Sequence, residues 1–188
     1  HLLLHGRPGT GKTTIAEILV KDLVECEDDY VTFNGSSQSD RGIGKVESLE
    51  TDFLSMPPLE SKKKVVFIDE FEEMTTAPQK ALRGIINDYE EHVIFIVTCN
   101  DLSKVIEALQ SRFHAGTYEF ACLDIKSTAR IIQRILKKEN VSYEGKDITQ
   151  TIQLYKPDIR RAIGFIQQQT IVKGNKADFV PNFDDDKD

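Results

Sequence analysis

Long apolar runs are missing from this chain. The longest falls far short of the roughly 20 residues that a membrane-crossing helix needs, nothing resembles a signal peptide, and no membrane partner is expected. Cysteine is scarce. Cys26, Cys99 and Cys122 are scattered and odd in number, which suits a reducing compartment better than a disulfide frame, and no pair has zinc-ligand spacing. His1, His5, His92 and His114 form no metal cluster either. Positive charge is outnumbered, 24 Lys and Arg against 31 Asp and Glu for a net −7, so an overall basic coat is excluded. A local stripe of Lys and Arg would still suffice to follow a nucleic-acid backbone. There is no internal repeat and no initiator methionine; the chain begins directly on an apolar strand and reads as a fragment of a longer protein. Its 188 residues suffice for one domain with a small appendage.

Against these absences stands Gly6-Arg7-Pro8-Gly9-Thr10-Gly11-Lys12-Thr13, a glycine, four free positions, then Gly-Lys-Thr, directly after the run Leu2-Leu3-Leu4. Four such fixed positions coincide by chance at roughly 3 in 100,000 starting points. The glycines let the backbone curl until successive N–H groups point at one anion, Lys12 adds a full charge beside the β- and γ-phosphates, and Thr13 can offer its hydroxyl to Mg2+. From Thr14 to Val20 the apolar spacing is helical, so a helix N-terminus also faces the phosphates. Nucleoside triphosphate binding is the expectation.

Downstream, Tyr30 to Phe33 reads as a strand that stops at the turn formers Asn34-Gly35-Ser36-Ser37. A helix is expected over residues 42–54, with Ile43, Val46, Leu49 and Phe53 on one face, ended by Met56-Pro57-Pro58. Val65 to Ile68 fits a central parallel strand buried on both faces, and two acids, Asp69 and Glu70, close it. A helix from Thr76 to Tyr89, a strand from Val93 to Val97 ending in Thr98-Cys99-Asn100, a short helical pattern from Ser103 to Leu109 and a strand from Thr117 to Phe120 follow. Ser111-Arg112-Phe113 reads as a loop or a helix end. Alternating strands and helices call for an α/β fold, a parallel sheet with helices on both faces, over residues 1–121. Residues 122–174 read as a small all-α lid of three helices, and residues 175–188 as an acidic, disordered tail.

In such a sheet the ligand lies beyond the carboxyl ends of the strands, so polar groups there converge. Four strand ends supply the phosphate loop, Asn34, Asp69-Glu70 and Asn100. Asp69 is placed to hold Mg2+ through oxygen, Glu70 to orient and polarise a water, and Asn100 to donate to the γ-phosphate without adding charge.

In this order the loop Gly6 to Thr13, Asp69-Glu70-Phe71-Glu72, Val97-Thr98-Cys99-Asn100, Ser111-Arg112-Phe113 and Pro157-Asp158-Ile159-Arg160-Arg161 resemble the AAA+ P-loop ATPases. Phe33-Asn34-Gly35-Ser36-Ser37, then Asp40-Arg41-Gly42-Ile43, and the helix Gln79-Lys80-Ala81-Leu82-Arg83 resemble the sliding-clamp loaders among them, both the replication factor C small subunits and the phage loader. Phe113, Pro157 and Ser37 depart from the loader pattern without removing a catalytic charge.

The resemblance implies ATP and Mg2+ as cofactors, bound by Gly6, Arg7, Pro8, Gly9, Thr10, Gly11, Lys12, Thr13 and Thr14, with Thr13 and Asp69 at the metal. It makes Glu70 the catalytic acid, Asn100 and Arg160 sensors of the γ-phosphate, Asn34 a restraint on Glu70, and Arg112 a finger inserted into a neighbouring subunit's site. Partners would be neighbouring clamp-loader ATPase subunits, a sliding clamp and primer-template DNA, with Arg41, Lys45, Lys80 and Arg83 as candidates for the DNA backbone. Location would be the cytoplasm, a host's for a phage protein, or the nucleus of a eukaryote. Two other readings stay open, a nucleotide-dependent assembly module without turnover and another AAA+ machine such as a branch-migration helicase.

Overall fold

Side-chain alternation along the parallel strands decides which helices cover which face of the sheet. The computed structural model describes residues 1–156, 158–173 and 176–183, and the chain divides into two units. The first joins His1–Gly6 to Gly11–Phe120; the second comprises Arg7–Thr10 and the chain from Ala121 onward.

In the first unit, β1 (Leu2–His5), β2 (Tyr30–Asn34), β3 (Lys64–Asp69), β4 (Val93–Cys99) and β5 (Thr117–Glu119) form one sheet in the order β2-β3-β4-β1-β5. Every pairing is parallel. Parallel neighbours need crossover connections, and the helices α1 (Lys12–Leu23), α2 (Ile43–Ser48), α3 (Thr76–Asp88) and α4 (Glu107–Phe113) lie in them. Leu3, Val66, Ile68, Phe95 and Val97 point to one core, which also takes Val46, Leu82, Ile86 and Leu109 from α2, α3 and α4. Their sequence neighbours Leu4, Val65, Phe67 and Ile96 point to the opposite core, packed on Ala16 and Val20 of α1. Helices therefore cover both faces, as the alternation of elements required.

Local differences have local causes. The helix expected over 42–54 is α2 followed by one wide, π-type turn, Leu49–Leu54. The wider turn shifts the buried face from Phe53 to Leu54: Leu54 is buried and Phe53 lies half-buried beneath the Lys64 ammonium, 4.3 Å from the ring centre, while Ile43, the first residue of α2, is exposed. Ser111-Arg112-Phe113 is the last turn of α4, anchored by the buried Phe113.

The second unit holds α5 (Ile125–Lys138), α6 (Gly145–Tyr155) and α7 (Ile159–Gln168) around Ile132, Leu136, Ile148, Ile152, Ala162 and Phe165. Asp124 and Asp158 cap α5 and α7 by accepting from the Ser127 and Arg161 N–H groups at 2.8 and 3.1 Å. To these three expected helices the structure adds a small sheet, β6 (Val141–Ser142), β8 (Lys176–Phe179) and β7 (Thr170–Lys173). Residues 176–183, expected within an irregular tail, instead contribute β8, the buried Phe179, and Phe183, which stacks on Phe165 at 5.8 Å. Pro157 and the acidic run from Asp184 to Asp188 lie outside the described residues.

One buried acid ties the edge of the first unit together. Asp29, fully buried just before β2, accepts from the backbone N–H groups of Leu59 (2.7 Å), Glu60 (3.0 Å) and Ser61 (2.8 Å). Burial alone would raise its pKa, but these N–H groups and the Ser61 hydroxyl outweigh that and hold the carboxyl well below its ordinary range. Asp29→Asn is expected to destabilise the fold by about 1–3 kcal/mol in urea titrations near neutral pH. Because the folded-state pKa is lowered, the wild-type advantage is complete above about pH 4 and shrinks as pH falls from there toward the native value. Unfolding titrations of both proteins across pH 2–7 measure it.

Candidate nucleotide site

Register brings the strand ends together. Asn34 lies opposite Asp69 across β2 and β3, and His5 lies opposite Cys99 across β1 and β4. The loop after β1 begins at Gly6, whose φ of 141° is one that side chains rarely adopt. A Cβ there would collide with the Phe120 carbonyl, so glycine is required on two grounds. Gly11, left-handed at φ 95°, is the N-cap of α1 and supplies no side-chain cap, so no side chain of its own blocks the first turn's N–H groups.

Lys12 is buried, and its ammonium donates to the Gly6 carbonyl at 2.8 Å and to Asn100 Oδ1 at 2.9 Å. Thr13 Oγ1 lies 3.0 and 3.2 Å from the two Asp69 oxygens. The sequence-predicted residues Lys12, Thr13, Asp69 and Asn100 therefore form two hydrogen-bonded pairs at the carboxyl edge of the sheet. Thr14 is exposed on the first turn of α1, Arg7 and Pro8 are exposed on the loop, and Thr10 Oγ1 donates to the Arg7 carbonyl at 2.9 Å.

Two contributors escaped the sequence reading. Thr98, buried on β4, donates to Asp69 Oδ1 and accepts from the Glu70 N–H at 3.2 Å. Glu72 accepts from both the backbone N–H and the side-chain Nδ2 of Asn100 on one oxygen, at 2.8 and 2.7 Å. Both stand inside quoted motifs, yet the cross-strand pairing of β3 with β4, which only the fold provides, is what gives them partners.

Glu70 itself has φ 52° and ψ 44°, a left-handed backbone unusual for glutamate. That kink ends β3 and leaves the Glu70 carboxylate without a hydrogen bond to any described residue. Asn34 Oδ1 turns back to accept from the Ser36 N–H (2.8 Å) and hydroxyl (2.7 Å), and no hydrogen bond joins Asn34 to Glu70. Arg112 is exposed in the last turn of α4, and Arg160 is exposed in the first turn of α7, in the second unit. Neither is hydrogen-bonded to a described residue.

Chemically, the arrangement fits a triphosphate with a hard cation. Curled backbone and a lysine suit the anion, and the Thr13 hydroxyl with the Asp69 carboxylate offers oxygen ligands. No group of three or more His, Cys, Asp or Glu that could cage a metal occurs among the described residues. A cation here would be shared with waters and substrate phosphates, as Mg2+ prefers. Burial first, then the charge of Glu72, pushes the pKa of the Cys99 thiol up to about 12.

Residues 2–118 match the family described as "ATPase family associated with various cellular activities (AAA)". The chain is 35% identical to a replication factor C small subunit of Methanocella arvoryzae over 184 residues, 96% of this chain and 56% of that protein. It is 34% identical to the same subunit of Sulfolobus acidocaldarius over 168 residues, 89% and 51% respectively. The chain spans about half the length of these curated relatives. In fold it is similar to the Thermotoga maritima RuvB Holliday junction branch migration motor, with a TM-score of 0.72, 23% identity, and coverage of 90% of this chain and 54% of that one.

Thr98→Val keeps the shape but removes a donor to Asp69 and the acceptor for the Glu70 N–H. It should lower stability by about 1–3 kcal/mol with the fold retained, as read by urea unfolding and circular dichroism.

Proposed function

The chain belongs to the AAA family of ATPases, and from that premise we propose that it is an ATP-hydrolysing subunit of a DNA sliding-clamp loader. The observation that carries this reading is the pair of contacts at the sheet edge, Lys12 with Asn100 and Thr13 with Asp69, in a chain similar to replication factor C small subunits over nearly its whole length. Similarity to RuvB at 23% identity speaks to fold alone.

On this reading the loop from Gly6 to Thr14 binds the ATP phosphates. Lys12 would leave the Asn100 oxygen for the β- and γ-phosphates, while Thr13 and Asp69 hold Mg2+. When bound, Mg2+ supplies positive charge to the phosphate oxygens as the leaving group departs. Glu70, whose carboxylate has no hydrogen bond to a described residue, orients and polarises the attacking water. Asn100 contacts the γ-phosphate through its amide, Arg160 adds a second contact from α7, and Asn34 restrains Glu70 until DNA is engaged. Its Nδ2 has no hydrogen bond to a described residue and is the group that would do so.

Arg112 acts in trans, completing a neighbouring subunit's site. An exposed arginine with no hydrogen bond to a described residue suits that task, and the partners are neighbouring loader ATPase subunits, a sliding clamp and primer-template DNA. Arg41, Lys80 and Arg83, all exposed, with Lys45 poised 5.1 Å over the Phe33 ring, are the residues offered to the DNA backbone. Among the described residues no helix is long and apolar enough to cross a membrane.

The test is steady-state ATP hydrolysis by the full-length subunit assembled with its neighbours, with and without primer-template DNA and clamp. Stimulation by DNA and clamp is expected, and Arg112→Ala should reduce the rate at the neighbouring site by about 10³-fold or more. Turnover indifferent to both DNA and Arg112 would overturn the loader reading, and tight ATP binding without turnover would leave only an assembly module.

A further inference from the structure

Glu72 is the least expected acid in the molecule. It is 7% exposed, and its Oε2 is buried with no hydrogen-bond partner among the described residues. An unpaired buried oxygen is unfavourable. A carboxylate kept under those conditions invites the question of what its other oxygen does. Oε1 holds the N–H of Asn100 at 2.8 Å and its Nδ2 at 2.7 Å, while the amide's opposite end, Oδ1, receives the Lys12 ammonium at 2.9 Å.

The chemistry of these three groups allows one arrangement. A carboxylate only accepts and an ammonium only donates, so the Asn100 amide must turn its NH2 to Glu72 and its oxygen to Lys12. Glu72 thus fixes both the main chain and the side-chain direction of a residue that is otherwise exposed at a strand end. The contact also sets where Lys12 rests. Phe71, fully buried beside it, anchors the turn that carries Glu72.

We infer that Glu72 is a positioning residue for the triphosphate site, acting through Asn100. One NH2 proton of Asn100 is committed to Glu72, which aims the second proton, while Lys12 gains a resting acceptor that it exchanges for phosphate. The inference rests on the nucleotide reading above. Glu72 touches no substrate; its effect is to make Asn100 discriminate a third phosphate from its absence.

The test measures affinity for ADP and for a non-hydrolysable ATP analogue, each with Mg2+, by titration calorimetry on the full-length subunit. The variants are Glu72→Leu, which fills the volume without an acceptor, Glu72→Gln, which keeps one, and Asn100→Ala. Glu72→Leu should lower the analogue-over-ADP affinity ratio by about tenfold, the weight of one hydrogen bond to a charged group, with ADP affinity retained. Glu72→Gln should restore most of the ratio, and Glu72→Leu added to Asn100→Ala should cost no more than Asn100→Ala alone. In the wild type, the Asn100 backbone N–H should be protected from hydrogen exchange despite its exposed position.

A wild-type full-length subunit that binds neither nucleotide overturns the nucleotide reading and this inference with it. Wild-type binding with a ratio unmoved by Glu72→Leu, or with effects that multiply on Asn100→Ala, overturns the inference alone. If Glu72→Leu does not fold, a Glu72→Gln protein that loses the ratio, or an unprotected Asn100 N–H in the wild type, does the same.

Discussion

Pairing of β3 with β4 is the constraint on which the candidate site depends. Their parallel register, Ile68 opposite Val97, puts Asp69 to Glu72 beside Thr98 to Asn100. Three side-chain contacts then lock the two strand ends: Thr98 to Asp69, the Glu70 N–H to Thr98, and Asn100 to Glu72. β1 lies on the far side of β4 and delivers the phosphate loop to the same edge. The sheet core is what makes this pairing reliable. Both strands are buried almost throughout, and a slip of one residue would send Val66 and Phe95 to the wrong face.

How far this could be read in advance depends on how local the physical requirement is. The phosphate loop was legible because a tight anion cradle needs glycine where φ is positive and a lysine at a fixed step. β3 and β4 were legible because strands buried on both faces must be continuously apolar. Asp69, Glu70 and Asn100 were legible as polar groups at the ends of such strands. Thr98 and Glu72 were not, because their partners lie across the sheet and neither periodicity nor composition states strand order. Asp29 escaped for the same reason: its three N–H donors come from residues 59–61. The small sheet β6-β8-β7 has strands of two to four residues, too short for alternation to register.

The site itself contains little that the net charge of −7 would suggest. Its acids are separated by their surroundings within four residues. Asp69 ends the strand and meets Thr13 and Thr98, Glu70 leaves the strand unengaged, Phe71 enters the core, and Glu72 is buried against Asn100. Neighbouring carboxylates repel, and a straight strand would put Asp69 and Phe71 on one face and Glu70 and Glu72 on the other. The kink at Glu70 breaks that alternation, and Phe71–Glu73 continues as a single 3-10 turn.

That kink is held from two sides. The left-handed conformation of a non-glycine residue costs roughly 1–2 kcal/mol, so it persists only where surrounding contacts determine it. Here the Glu70 N–H is bound to Thr98 Oγ1, and the Glu70 carbonyl accepts from the Glu73 N–H at 3.0 Å. The preceding Asp69 carbonyl accepts from the Gly35 N–H at 2.8 Å, and a Cβ at Gly35 would run into the Glu70 carbonyl. Backbone and neighbours are thus committed while the carboxylate has no hydrogen bond to a described residue. For the proposed water-polarising role this is the useful division: the main chain absorbs the strain, and the side chain stays available. Asn34 directly precedes Gly35 and lies in register with Asp69, so the backbone of the β2 loop and the kink at Glu70 meet through one main-chain hydrogen bond, Gly35 to Asp69.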